Sequence, residues 1–298
     1  MPSVRPVAGR ETFRSTTSTD CLKAPLDTSV CFASPTFDLS DQANGATLGH
    51  AEAAVPLTQA QRSSIVAFEV SLFTAQIFDN SAKELKAAQA DGGAANLATR
   101  SFYFGINDVV SGDYRTGAAF TPTVFTLYDA WANAPGGGTN TARRAVARGQ
   151  ALFNSKPIAI SGVKGINDDL IVAVLPGTCT TCHDTPSAGN HSIPAPLDIG
   201  LTDASRRTAD MPLYTLRRNS TGETIKTTDP GRALITGKWK DIGRFKGPIL
   251  RALSGRAPYF HNGSASDLGS AVDFYNSRFG IGFTSAERAD LIAFLQTL

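Results

Sequence analysis

Apolar residues in the first half of the chain follow a helical period in two places. A capping box at positions 58–61 precedes apolar residues at helical spacing, which predicts a helix that runs to Gln76. A second helical piece is predicted over residues 81–89. Residues 1–55 are polar and predict loops, whereas residues 100–132 are aromatic and irregular. The first half is therefore expected to combine short helices with long loops.

The hydrophobic pattern of the second half predicts three helices. Residues 135–138 read Pro-Gly-Gly-Gly, the strongest helix-breaking run in the chain, and we place a domain boundary there. Residues 141–154 then predict a helix in which Gly149 allows another helix to cross closely. The expected partner follows a capping box at 284–287, and a further helix is predicted over 268–275. The rest of this half is expected to be loop.

Composition and charge narrow the class of protein. The 298 residues are 42% hydrophobic and 18% charged, which is typical of a globular chain. The net charge of +2 gives no general reason to expect nucleic acid as a partner. No run approaches the roughly 20 apolar residues that a membrane span needs, so no membrane span is expected.

Residues 179–183 read Cys-Thr-Thr-Cys-His, the C-x-x-C-H signature of covalent haem attachment. Cys179 and Cys182 can each form a thioether to a porphyrin vinyl group, and His183 is then the proximal ligand of the iron. A zinc site would need a second ligand pair, but Cys21 and Cys31 have no neighbouring histidine. Those two cysteines fit either a disulfide or buried free thiols. The motif therefore predicts one haem c in a cytochrome c-like arrangement.

The sixth ligand of the iron decides the chemistry, because an open or displaceable position can bind peroxide or oxygen. Met211 is the first distal candidate from composition, although methionine equally often fills gaps in a core. His191 and His261 are the other nitrogen candidates.

Basic residues are concentrated between positions 232 and 256, where Asp241 is the single acid. The cations of this stretch are Arg232, Lys238, Lys240, Arg244, Lys246, Arg251 and Arg256. Two interpretations stay open: a solvated basic surface, or a site that meets haem propionates or an acidic redox partner.

Three ordered motifs beyond the haem signature resemble the second haem domain of bacterial di-haem cytochrome c peroxidases and their relative MauG. They are Arg-Phe-Lys-Gly-Pro-Ile-Leu-Arg at 244–251, Ala-Pro-Tyr-Phe-His-Asn-Gly-Ser at 257–264 and Ala-Val-Asp-Phe-Tyr at 271–275. The likeness runs from about residue 142 to residue 298, and residues 49–76 more weakly resemble the later part of the first haem domain.

The resemblance implies a mainly α fold in two parts. Residues 139–298 would form a cytochrome c-like haem domain with long loops, and residues 1–138 a partial, helical and irregular cytochrome c-like domain. It also implies that Tyr275 occupies the distal position and competes there with Met211. Arg251 would lie near the haem propionates, and His261 in the loop over the haem edge.

The family works with two haems, and the second is expected not to be encoded in this chain. The segment 6–11, which resembles the place of the family's bridging tryptophan, contains none. The implied function is haem-mediated electron transfer with peroxide reduction, using a small redox protein as electron donor or acceptor. The resemblance also implies a homodimer and a periplasmic location. Residues 1–6 do not lead into an export signal, which suggests a longer precursor or a truncated reading frame.

The alternative functions are a single-haem electron-transfer cytochrome without catalysis and an inactive fragment. A carrier would hold its iron between His183 and Met211.

Overall fold

The computed structural model of the chain describes residues 12–13, 32–33, 35–72 and 75–298, with side chains over 39–72 and 75–298. Cys21, Cys31 and the segment 6–11 lie outside these residues, and so do the predictions made for them.

Helices dominate the described part of the chain. They are α1 (Pro35–Gly49), α2 (Gln59–Ser71), α3 (Ala94–Leu97), α4 (Thr139–Ser155), α5 (Ala233–Thr236), α6 (Leu268–Phe279) and α7 (Ser285–Leu295). None of these helices is long and apolar enough to cross a membrane. The prediction of a mainly α fold is confirmed.

Strands occur only as short antiparallel pairs among the described residues. The pairs are β1 (Thr12–Phe13) with β2 (Phe32–Ala33), β3 (Phe78–Asp79) with β4 (Lys83–Glu84), β5 (Ile158–Ser161) with β6 (Val174–Gly177), and β7 (Tyr214–Arg217) with β8 (Thr224–Thr227). In the pair that leads to the haem motif, Ile158 lies opposite Gly177 and Ser161 opposite Val174.

Helices α4 and α7 cross as closely as the sequence predicts. A Cβ atom on Gly149 would lie 2.0 Å from the Asp290 carbonyl oxygen and 2.7 Å from the Phe294 Cβ atom. Only glycine therefore permits this crossing without displacement of a helix. Arg148 fixes its direction through two hydrogen bonds of 2.7 Å to the Asp290 carboxylate.

Two helix starts confirm the predicted capping boxes, and an aspartate caps a third helix. Thr58 and Gln61 satisfy each other's backbone N–H groups at the start of α2, as Thr284 and Glu287 do at the start of α7. At α6 the Asp267 carboxylate accepts the Ser270 N–H at 2.7 Å. Such contacts satisfy N–H groups that the first helical turn leaves unpaired.

Two predictions for the first half are wrong. The stretch expected to be loop contains the whole of α1, which begins at Pro35, a residue favoured at the first helical position. Helix α2 ends at Ser71 and not at Gln76, and only Val66 on it is buried. Because both helices carry many polar residues, hydrophobic spacing was a poor guide to their extent.

The predicted helix over 81–89 is also wrong, since β4 and turns take its place. The Asp79 carboxylate accepts the N–H groups of Ser81 and Ala82 at 2.8 and 2.7 Å, which closes a turn in place of a helix. Trp131 donates its indole N–H to the Ala87 carbonyl at 2.9 Å. A local turn at Asp79 and a distant contact from Trp131 together take the place of the predicted helix.

The main core contains residues from both sides of the 135–138 run. Phe125 packs edge-on against Phe153 and Phe294, with 5.3 Å between ring centroids in each pair. Tyr128 stacks on Trp131 at 4.6 Å, and both side chains are fully buried. The division at 138 stays a prediction, but these aromatic rings pack as one cluster.

Two amides on α4 satisfy the backbone of the irregular segment that precedes it. Gln150 accepts the Tyr128 N–H at 2.9 Å, and Asn154 both accepts the Phe125 N–H at 3.2 Å and donates to its carbonyl at 2.7 Å. Buried backbone groups outside regular structure need such partners. The irregular segment is therefore held rigidly against the helix beneath the haem motif.

Candidate haem site

The C-x-x-C-H motif follows strand β6 directly and turns as a short 3-10 helix, Cys179–Thr181. Thr178 accepts the Thr180 N–H at 3.2 Å and donates its own N–H to the Thr181 hydroxyl at 3.0 Å. A Cβ atom on Gly177 would lie 2.3 Å from that hydroxyl, so glycine is required where the strand enters the turn. Thr180 and Thr181 are buried and hold the loop that carries the cysteines.

The orientation of His183 suits an iron ligand. Its Nδ1 atom lies 2.5 Å from the Gly189 carbonyl oxygen, which can only accept a hydrogen bond, so Nδ1 carries the proton. The Nε2 atom is then left as the electron-pair donor. Burial lowers the pKa of the imidazole and keeps it neutral. The Phe153 ring lies 5.8 Å from the imidazole and links it to the α4–α7 crossing.

The two cysteines of the motif are free, half-buried thiols. Burial raises the pKa of both Cys179 and Cys182 to about 12. A redox-active cysteine pair normally has a depressed pKa, because the thiolate is the reactive form. Both thiols pack against the apolar cluster formed by Ile158, Ile160, Val163, Ile166 and Leu197. Their surroundings therefore fit attachment to an apolar macrocycle better than thiolate chemistry.

Helix α6 brings Tyr275 to the motif. The pKa of its hydroxyl is raised, first by burial and then by the neighbouring Cys182 and Cys179 sulfur atoms. Its ring lies among other aromatic rings, with centroids 5.3 Å from Phe274 and 6.0 Å from Phe260. The electrostatic effect of both cysteines on the phenol indicates that Tyr275 lies near the motif, as a distal ligand must.

The other distal candidates lie elsewhere. Met211 lies half-buried in the loop before β7 and belongs to neither hydrophobic cluster of the described residues. His261 stacks on Phe245 at 3.8 Å, and its Nε2 atom lies 3.6 Å from the Asp229 carboxylate. His191 faces Asp184, with its Nδ1 atom 3.0 Å from a carboxylate oxygen. Tyr275 is the candidate whose hydroxyl is affected by the motif cysteines.

Arg251 is a buried cation with spare donors. Its side chain is 4% exposed, and its Nε–H donates to the Ser187 carbonyl at 3.1 Å. Burial lowers the pKa of the guanidinium to about 10. None of the described carboxylates forms an ion pair with it. A buried guanidinium without an anion is costly, so this residue fits a propionate partner.

The basic stretch does not form a single surface. Arg244 is buried and forms ion pairs with Asp168 and Asp169, the second at 3.2 Å. Lys238, Lys240 and Lys246 are exposed. The exposed lysines fit the interpretation as a solvated basic surface. The buried Arg251 fits the interpretation as a contact with the cofactor.

Together, these residues fit a covalently held haem. Two apolar-packed thiols, an oriented imidazole and an unpaired buried guanidinium match its vinyl groups, iron and propionates. Sequence reasoning missed the Gly189 carbonyl as the partner of His183, since its only signal is a loop glycine six residues away.

Comparison with known proteins gives relatives by sequence alone. The chain is 28% identical over 210 residues to cytochrome-c peroxidase IdrP1 of Pseudomonas sp. (strain SCT), covering 62% of this chain and 48% of that protein. It is 30% identical over 132 residues to cytochrome-c peroxidase IdrP2 of Denitromonas iodatirespirans, covering 41% and 36%. A third relative, IdrP1 of the same organism, is 30% identical over 136 residues, covering 40% and 36%.

The chain thus spans about half or less of the length of the curated relatives it matches. No protein-family model and no solved structure matches it.

Proposed function

Since this chain is a relative of the bacterial di-haem cytochrome c peroxidases, we propose that it is a c-type haem oxidoreductase of the peroxidase type. The observation that carries the proposal is the orientation of His183, whose Nδ1–H is held by the Gly189 carbonyl. That hydrogen bond leaves Nε2 directed for coordination, as in other proteins where a second partner fixes the tautomer of a metal-binding histidine.

Each motif residue has a separate part in holding the cofactor. Cys179 and Cys182 would carry the two thioether bonds, and His183 would supply the proximal nitrogen. Arg251 would meet a propionate, because its guanidinium is buried without an anion. Haem c, when bound, supplies the redox chemistry, and the protein controls its ligands and the access of solvent.

Tyr275 is the proposed distal residue, with Met211 as the alternative. Its hydroxyl is held on α6 among aromatic rings, near the motif cysteines. A phenolate is an oxygen donor that favours the ferric state, which suits storage of oxidising equivalents better than transfer at high potential. A methionine ligand would instead suit a simple electron carrier.

The proposed reaction is the reduction of hydrogen peroxide to two water molecules, with two electrons and two protons taken up. The electrons would come from a small redox protein. We also propose one haem c per chain, on the strength of the single C-x-x-C-H motif. A haem domain over 139–298, a periplasmic location and a homodimer are proposed on the strength of the family resemblance.

The single C-x-x-C-H motif favours a second function, a one-haem electron carrier without catalysis. The two functions differ in reactivity towards peroxide. An inactive fragment would lack both activities.

Haem content tests the cofactor. A pyridine haemochrome measurement on the purified chain is expected to give one covalent haem per polypeptide. Cys179→Ala combined with Cys182→Ala should abolish covalent attachment, whereas Met211→Ala should retain it. Two haems per chain, or none, would refute the proposed stoichiometry.

Peroxide-dependent oxidation of a reduced small c-type cytochrome tests the activity. The haem-loaded chain is expected to oxidise it only when peroxide is present. Electron exchange with the cytochrome but no response to peroxide would favour the carrier. Loss of both activities in a haem-loaded, folded chain would favour the inactive fragment.

A further inference from the structure

A second cluster of metal-binding side chains lies next to the proposed haem site. Asp108, Asp184 and His191 bring one ligand atom each to within 4.8 Å of one another. The two aspartates are 1% and 0% exposed, and the His191 side chain is 7% exposed. None of the three is used by the haem site proposed above.

One carboxylate oxygen of each aspartate is buried without a hydrogen bond. Oδ1 of Asp108 accepts the Ser111 N–H at 2.7 Å, and Oδ1 of Asp184 accepts the Ser192 N–H at 2.6 Å. The Oδ2 atom of each aspartate is buried without a hydrogen bond. Among the described residues, no Lys or Arg forms an ion pair with either aspartate.

His191 does not complete the hydrogen bonding. Its Nδ1 atom is 3.0 Å from Oδ2 of Asp184, yet it too is buried without a hydrogen bond of acceptable geometry. The nearby Ser192 hydroxyl is likewise buried and without a partner. A buried carboxylate oxygen without a hydrogen bond destabilises the folded protein, and a bound cation would remove this unfavourable free energy.

The backbones that carry Asp108 and Asp184 are joined through Asn107. Asn107 donates from Nδ2 to the Asp184 carbonyl at 3.0 Å and to the Thr121 carbonyl at 2.9 Å. The loop that carries Asp108 is therefore joined to the loop that follows the haem motif. The two loops are therefore held together before any ion binds, which lowers the cost of binding.

We propose that Asp108, Asp184 and His191 bind a divalent transition-metal ion of the zinc class. Carboxylate oxygens and imidazole nitrogens are both zinc ligands, and a site with three protein ligands leaves a fourth position for water. Bonds of about 2.0–2.1 Å to a tetrahedral zinc ion would separate the ligand atoms by about 3.3 Å. The three ligand atoms lie within 4.8 Å of one another, so they would have to draw together slightly around the ion. Calcium requires six to eight oxygen ligands, which this site does not offer. The ion would brace the loop that carries Gly189, the partner of His183.

Metal titration of the haem-loaded full chain tests the site. After dialysis against a chelator, the protein is titrated with Zn²⁺ alone by calorimetry, and its bound metals are counted by mass spectrometry. One zinc ion per chain is expected in addition to the haem iron. Asp108→Asn should weaken this binding at least tenfold. Asp198→Asn is the matched control, because Asp198 is also buried but is paired with Lys164, and it should bind zinc like the unaltered chain.

Equal zinc binding by the unaltered chain and Asp108→Asn would overturn the proposal. Binding of Ca²⁺ in preference to Zn²⁺ would overturn the assigned metal class. His191→Gln provides an independent variant if Asp108→Asn does not fold, as judged by circular dichroism and haem content. A zinc affinity that falls in His191→Gln but not in Asp198→Asn would support the site.

Discussion

The crossing of α4 and α7 allows a sharp test of the packing beneath the haem site, through the change Gly149→Ala. The added methyl group would lie 2.0 Å from a backbone carbonyl of Asp290 and 2.7 Å from the Phe294 Cβ atom. Non-bonded carbon contacts favour about 3.5 to 4.0 Å, so the helices must separate locally by on the order of 1.5 Å. The obstructing oxygen belongs to helical backbone and cannot rotate away.

The expected magnitude follows from two opposing effects. Overpacking costs about 1–3 kcal/mol, and the backbone clash puts this site at the upper end. Alanine gains about 0.5–1 kcal/mol over glycine inside a helix. We therefore expect Gly149→Ala to lower the free energy of unfolding by about 2 kcal/mol. Because Phe294 and Phe153 are both buried at this crossing, haem content should fall as well.

Gly45→Ala is the matched control. Gly45 lies inside α1, and a Cβ atom there would meet nothing within 4 Å. It should therefore show only the helical gain of about 0.5–1 kcal/mol. Both variants are measured by urea unfolding followed with circular dichroism on the haem-loaded chain. A Gly149→Ala protein as stable as the unaltered one would refute the argument that glycine is needed at the crossing.

Three further predictions concern the site and its scaffold. Tyr275→Phe should change the ferric absorption spectrum while Met211→Ala leaves it unchanged; the reverse pattern would assign the distal position to methionine. Arg251→Gln should lower the reduction potential of the haem, since a nearby positive charge favours the reduced iron. Arg232→Gln alters a partly exposed ion pair and should leave the reduction potential unchanged. Thr284→Ala should cost about 1 kcal/mol in urea unfolding through loss of the α7 cap, with no change in haem content, and an unaltered midpoint would contradict the capping role.

The features predicted correctly from the sequence depend on local chemistry. A hydroxyl and an amide or carboxylate three residues apart marked the starts of α2 and α7, because that spacing alone satisfies the first N–H groups of a helix. Gly149 marked the helix crossing because a glycine in the middle of an amphipathic helix lets another helix approach closely.

The features that were missed depend on partners far along the chain. The turns in place of a helix at 81–89 are held in part by a contact with Trp131, 44 positions from Ala87. Asp184 and Asp108 lie close together on two different loops, and nothing in the sequence of either loop indicates that the loops meet. Periodicity describes one segment at a time and carries no information about which loops meet.

The ion pair between Arg148 and Asp290 joins residues 142 positions apart. Closing so long a loop is slow, because chain entropy must be lost before the contact forms. During synthesis, α4 and the haem motif emerge well before α7, and Phe153 then lacks the helix that covers it. The proximal wall behind His183 should therefore be completed late, so the proposed attachment of haem to Cys179 and Cys182 would take place on a loosely folded chain.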